Sequence, residues 1–318
     1  MLVLAAECWL GSWQGPTLFD AATGSPVHDG IPELRIPGTV FGGFVDAHVH
    51  LGLIDGARLL SGGIAAVHDL GWIPDVASRW PHTPGLPSVR YAGAFLTAPG
   101  GYPADRCWAP PGSVVEVASP ERAADAVSVQ LAAGASFVKL ALNSVAGPVF
   151  DDDTLRALVS AAHGRGVTVV AHAEGAGQAA RAFEAGVDRL AHAPFTEPIA
   201  EELLAAMVDC LSWVSTLNIH DGPAEVIALD NVRRFAALGG EVRYGTDLGN
   251  GAQPDGVNPS ELAALAEAGV DPVAAIAPAA LGERLCWAAG SPTDHASVAE
   301  WLATASVINA TDLEETFS

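Results

Sequence analysis

The sequence predicts an α/β fold, a (β/α)8 TIM barrel, and three observations predict it. Eight apolar, β-branched runs recur along the middle of the chain, Ala-rich stretches with helical spacing separate most of them, and polar residues of a few chemical types close the runs. The runs fall at 43–48, 64–70, 89–96, 136–142, 167–172, 188–192, 211–217 and 241–247. Strands that alternate with helices build parallel βα units, since a parallel return needs a crossover.

The first run, "VFGGFVDAHVHLGL" at 40–53, places His48 and His50 two residues apart at its end. Strand side chains alternate faces, so the two imidazoles share one side, about 7 Å apart, a spacing suited to sharing one metal. A lone histidine at a strand end is usually satisfied by a backbone hydrogen bond; a pair on one face, following an acid, needs more explanation.

Helix signals support the ladder. Ser119 reads as a cap with Pro120 at the first helical position and Gly134 at the stop. In "NPSELAALAEAG", Asn258 is a cap, Pro259 follows, and Glu261 completes a capping box. The segment 97–119 is too rich in Gly and Pro for a helix and reads as a long loop after the third strand, placed to shape a site. A glycine turn after the fifth run, Gly175-x-Gly177-x-x-Ala180, has the outline of a dinucleotide site. The strand before it ends in His, however, and the next run carries its acid at the start, where no ribose would meet it.

Size and charge narrow the partners. The chain has 318 residues, half of them hydrophobic, enough for one large domain or two ordinary ones. It offers no run of 18 apolar residues and no signal-like start, so the expectation is a soluble protein that is not exported. Cys8, Cys107, Cys210 and Cys286 are widely spaced, which suggests reduced thiols and a cytoplasmic location. Acids outnumber bases 37 to 15, a field that repels phosphate backbones and anionic membranes. This leaves a small-molecule substrate as the expected partner, in a monomer or a homo-oligomer.

The polar run ends all fall at one rim. His48 and His50 close the first strand, His172 the fifth, His192 the sixth and Asp247 the eighth, while Lys139 lies three residues from the end of the fourth. In an eight-stranded barrel, C-terminal strand ends converge on the face where active sites lie. Three or four ligands converging there make a metal site.

These motifs, "DAHVH" at 46–50, "FVKLAL" at 137–142, "VVAHAEG" at 169–175, "RLAHAP" at 189–194 and "YGTDLG" at 244–249, resemble the amidohydrolase superfamily of metal-dependent hydrolases. The resemblance spans about 40 to 285 and is nearest the imidazolonepropionase-like and prolidase-like branch, where "GIAAVHDLG" and "TAPGGY" also have counterparts. It implies two divalent metal ions, zinc before manganese or iron. One would be held by His48, His50 and Asp247, the second by His172 and His192, with Lys139 bridging them as a carbamate. It implies hydrolysis of a C–N amide-type bond, linear or cyclic, by a hydroxide that the metals generate, with Asp247 moving the proton. It also implies a small β subdomain from both termini, 1–40 with 288–318, around a barrel at 41–287; "MLVLAAECWL" and "TASVIN" keep some β pattern.

Position alone adds weaker pocket residues: His68 near the end of strand two, Tyr102, Arg106 and Trp108 in the long loop, and Asn218 and His220 after strand seven. Arg106 is the natural clamp for a substrate carboxylate, because its planar fork matches that group. A deaminase with one metal is the rival within the superfamily, but such enzymes place a Glu three residues after the fifth-strand His and lack the Lys. Here Glu174 follows His172 by two residues. A lactonase, or a barrel that binds metal without catalysis, is compatible with the same ligands.

Overall fold

The computed structural model describes residues 1–318. The chain opens with strands β1 (Leu2–Trp9), β2 (Thr17–Asp20) and β3 (Leu34–Gly42). It then runs through β4 (Val45–Val49), β5 (Ala66–Asp69), β6 (Ser88–Tyr91), β7 (Phe95–Thr97), β8 (Val114–Glu116), β9 (Phe137–Asn143) and β10 (Thr168–Glu174). The later strands are β11 (Arg189–Leu190), β12 (Ser212–Val214), β13 (Val242–Arg243), β14 (Arg284–Ala288) and β15 (Ser306–Asn309).

Two sheets are wholly parallel, β4-β5-β6 and β13-β12-β11-β10-β9-β7-β8. They meet at two seams. Ser136 donates its N–H to the Tyr91 carbonyl (2.7 Å), and Ala47 and His50 donate theirs to Tyr244 (3.0 Å) and Leu248 (2.8 Å). The result is a TIM-barrel-like arrangement of parallel strands wrapped by helices. The third run is not one strand: a break at Ala92–Ala94 divides β6, which pairs with β5, from β7, which pairs with β9.

The third sheet, ordered β15-β14-β3-β1-β2, joins both ends of the chain. It extends to Gly42 and begins again at Arg284, so its limits reach past the expected 40 and 288 into residues assigned to the barrel. It has its own core of Val3, Phe19, Ile36, Val40, Leu285 and Ile308.

The helices pack their apolar faces on the outside of the parallel strands, as alternation of strand and helix requires. Asn258 caps the helix Pro259–Glu267 by accepting from the N–H groups of Ser260 and Glu261. The expected capping box does not form: the Glu261 carboxylate turns away and accepts from the N–H groups of Leu217 (2.9 Å) and Asn218 (2.7 Å). Ser119 likewise caps nothing with its side chain; its hydroxyl donates to Glu121 (2.5 Å), and a 3-10 turn at Pro120–Arg122 leads into the helix Ala123–Ala132. The long loop carries the short strand β8 and otherwise no regular structure up to Ser119. No helix is long and apolar enough to cross a membrane.

Candidate metal centre

The C-terminal ends of the parallel strands surround a cavity of about 250 Å³ lined by His48, His50, Lys139, His172, His192 and Asp247. All six residues that the sequence places at one rim therefore meet. They do not meet equally: His48, His50 and Asp247 bring one ligand atom each within 4.8 Å of one another, and the other three stand around them.

The inner trio is a set of acceptors. His48 donates its Nδ1 proton to the Ala191 carbonyl (2.7 Å) and His50 donates its own to Gly71 (3.3 Å), so in the neutral form of either ring Nε2 carries the lone pair. Those nitrogens lie 3.3 Å apart, and 3.1 and 3.2 Å from the same Oδ1 of Asp247. Two lone pairs and a carboxylate oxygen repel one another at this range unless a cation or proton lies between them. Imidazole nitrogen with carboxylate oxygen is the donor set that zinc and its neighbours take, and ring Nδ1 bonds to backbone carbonyls are how such ligands are aimed.

Electrostatics favour the ligating forms of His48 and Asp247. Burial, reinforced by the nearby Lys139 amine, holds His48 well below the usual imidazole range. Burial opposes a charge on Asp247, but the imidazoles of His48, His50 and His192 outweigh it and hold the carboxyl well below its usual range. Its second oxygen, Oδ2, accepts from Asn250 Nδ2 (2.9 Å).

Backbone geometry is tuned to this grouping. Asp247 has φ of 53° and Thr216 of 42°, left-handed conformations that cost an L-residue about 1–2 kcal/mol. Asp46, fully buried beneath the pair, accepts from the N–H groups of His48 (3.0 Å) and Thr246 (3.1 Å) and from the Thr246 hydroxyl (2.6 Å). It thereby ties the first barrel strand to the last at the level of the ligands. Any side chain at Gly245 would collide with Val214 and the His48 backbone, so the two strands can approach only because the residue is glycine.

The outer trio is held separately. His192 is fixed by Thr216, whose hydroxyl lies 2.9 Å from its Nδ1, and its ring stands 4.7 Å from that of His48. His172 packs edge-on to His192 at 4.9 Å, while its Nε2 lies 3.0 Å from Glu174 Oε2. That carboxylate also accepts from Asn143 Nδ2 (2.6 Å), and its bond with His172 holds it below the usual range. Lys139 is buried, and burial lowers its amine to about 7 against the pull of Asp247 and Asp69.

The weaker pocket expectations divide. Tyr102 and His220 line the cavity, and Trp108 lines its extension beside His50 and Asn250. His220 stacks on Phe195 at 4.2 Å, its Nε2 is buried without a partner, and burial lowers it to about 4. Arg106 is not among the residues that line the cavity; it pairs with Asp105 (3.3 Å) and its guanidinium carbon stands 5.6 Å from the ring centre of Tyr102. Asn218 is exposed and engaged through its backbone with Glu261, and the neighbour that enters the wall is Ile219. His68 is buried away from the rim, packed on Phe137 at 4.9 Å, with its Nδ1 3.5 Å from Arg189. One layer explains it: Phe137 lies two residues before Lys139 on β9, so His68 shares the layer below the ligands.

Sequence reasoning assigned nothing to Asp46, Asn143, Asn250, Phe95 or Phe195. An acid inside an apolar run was a visible signal for Asp46, and the spacing Asp247-x-x-Asn250 for Asn250. The two phenylalanines read only as core.

No protein-family model and no curated protein matches the chain. Among solved structures it is similar to a Xaa-Pro dipeptidase with bound methionine (TM-score 0.77, 21% identity, 97% of this chain and 98% of that one). It is also similar to the ochratoxinase of A. niger (TM-score 0.75, 17% identity, 97% and 94% covered). A third is a prolidase complexed with N-methylphosphonate-L-proline (TM-score 0.73, 18% identity, 98% of both chains). At these identities the likeness is one of fold, over nearly the whole length of each chain. It is consistent with the resemblance to the amidohydrolase superfamily.

Proposed function

We propose that this chain is a metal-dependent amidohydrolase whose two parallel sheets form one eight-stranded barrel around the site. The observation that carries the proposal is the meeting of His48 Nε2, His50 Nε2 and Asp247 Oδ1 within 3.3 Å, three acceptors that only a cation or shared proton reconciles. Dipeptide, proline-amide and other amide hydrolysis on this fold, as the names of the similar structures indicate, supports cleavage of a C–N bond in a small molecule.

In this reading, His48, His50 and Asp247 hold one divalent ion, most simply zinc, and His172 and His192 hold a second. Lys139 bridges them after carbamylation. Its amine, lowered to about 7, is substantially unprotonated at neutral pH. The nitrogen lone pair attacks carbon dioxide, an N–C bond forms as one C–O π bond opens onto oxygen, the nitrogen loses one proton, and the single negative charge is shared by two oxygens. Bound divalent ions polarise a carbonyl and bring the pKa of water to about 7.

The rest belongs to the chain. Asp247, with Oδ2 steered by Asn250, accepts the proton of the attacking water and delivers it to the departing nitrogen. Tyr102, Phe195 and His220 form the wall against which the substrate is oriented.

The test is metal content per chain, with the intact mass of peptides containing Lys139 prepared without acid. Two equivalents and a carbamate are expected. One equivalent with a free amine moves the assignment to one-metal deaminase chemistry, and no metal refutes the reading. A metal-binding barrel without catalysis would show the metals but hydrolyse no amide, dipeptide or cyclic imide.

A further inference from the structure

The opposite end of the parallel strands carries an arrangement of the reverse sign. Arg90 and Arg189 both reach Phe137, with guanidinium carbons 4.5 and 5.9 Å from its ring centre, and His68 packs against the same ring. Arg189 is buried to 8% exposure, and its guanidinium meets Ser212 Oγ (3.2 Å) and His68 Nδ1 (3.5 Å) but no carboxylate. Arg243, on β13 two strands along the sheet from Arg189, gives one nitrogen to Glu241 (2.5 Å) and leaves its Nε buried without a partner. The other acid nearby, Asp188, is engaged by His163 (3.0 Å) and the Val169 N–H (2.7 Å).

A guanidinium does not lose its charge in a protein, and a buried one ordinarily has an anion beside it. Here Arg189 is buried without one, and the exposed Arg90 and part-exposed Arg243 place two more positive charges close enough to act on it, in a chain with acids in large excess that could have supplied carboxylates. We propose that this N-terminal end of the strands is a binding site for a small phosphate-type oxyanion, held by Arg90, Arg189 and Arg243. Three forks offer more donors than the two oxygens of a carboxylate accept, whereas a phosphate matches them. Neutral His68, lowered to about 3 by burial and by the same arginines, adds no competing charge. Free phosphate and the phosphate group of an organic ester present the same chemistry to these arginines.

Calorimetric titration of inorganic phosphate into the full-length protein, with ionic strength held constant by sodium chloride, tests the proposal. One saturable site is expected in the wild type, weakened roughly tenfold or more in Arg90→Gln, whose side chain is at the exposed mouth. Arg243→Gln provides the same readout should Arg90→Gln fold poorly. Glycerol 3-phosphate in parallel identifies the source: tighter binding than phosphate points to an organic ligand, equal or weaker binding to the free ion. Absence of a saturable site overturns the proposal. So does phosphate binding that both variants leave unchanged, which would place the anion at the metal centre.

Discussion

The two ends of the parallel strands use similar residues for opposite purposes. At the C-terminal end, His48, His50 and Asp247 turn acceptors toward one another, and the gap between them suits a cation. At the N-terminal end, Arg90 and Arg189 bring donors to the Phe137 ring and Arg243 adds a third positive charge nearby, a grouping that suits an anion. A layer containing Leu70, Ala92, Phe137, Val170 and Ala191 separates them. Histidine alone therefore says little about a site; what matters is which of its nitrogens is already satisfied, and by what.

The contrast breaks most sharply at Asp247. Asp247→Asn keeps the shape and the histidine pair but removes the proton carrier, and turnover is expected to fall by about 10²–10⁴-fold, checked by kcat on the best amide substrate with metal content measured alongside. A paired exchange at the two levels comes next. His48→Gln should lose the inner metal and nearly all activity, whereas His68→Gln should leave metal content and KM unchanged, because the latter faces the arginine end. Equal damage from both would mean that the two ends are not separate.

Lys139 sharpens the same comparison through pH. In the metal-free protein its amine is protonated only up to about 7, but in the unfolded chain up to the ordinary lysine range near 10.5. Between these values the unfolded state holds more protons, so stability should rise with pH. Lys139→Met should flatten that rise in urea unfolding of chelated protein and reduce bound metal from two equivalents to one. A retained slope would place its cause elsewhere.

Glu261 gives a smaller and oppositely signed effect. Burial raises it to about 7 from an ordinary 4.5, so the folded state holds the extra proton and stability falls as pH rises through that window. Asp46, also raised to about 7, acts in the same direction. Glu261→Gln should reduce the fall, and because one of the two N–H groups of the Leu217–Asn218 turn loses its acceptor, KM should rise by roughly tenfold, about 1–3 kcal/mol for an unsatisfied buried group. The smallest effect is expected for Arg106→Gln and Asn218→Ala, whose KM values should stay within about twofold of the wild type, as solvent-facing polar groups contribute little.

Much of this was legible in the sequence because strand period is simple. Alternation placed His48 and His50 on one face, and run spacing placed His172, His192, Lys139 and Asp247 at the same end. Depth was less legible: alternation states a face and not a layer, so His68 read as a rim residue although it lies in the Phe137 layer. Long-range acceptors were not legible either. Glu261 fits a capping box by local spacing, but the N–H groups of the Leu217–Asn218 turn, 44 and 43 residues earlier, claim its carboxylate instead. In the Gly- and Pro-rich loop, composition indicated irregular backbone without saying that Tyr102 and Trp108 line the cavity while Arg106 pairs with Asp105.

The seam at Asp46 has a consequence for how the protein is made. Its carboxylate binds Thr246 across 200 residues, and the third inner ligand, Asp247, stands beside that threonine. A nascent chain that has completed seven barrel strands holds the histidine pair but neither the acid that completes the trio nor the tie that aligns it. An ion held by the proposed trio would thus be captured only after the last strand has emerged and docked on the first, so metal loading during synthesis would serve as a readout of a finished barrel.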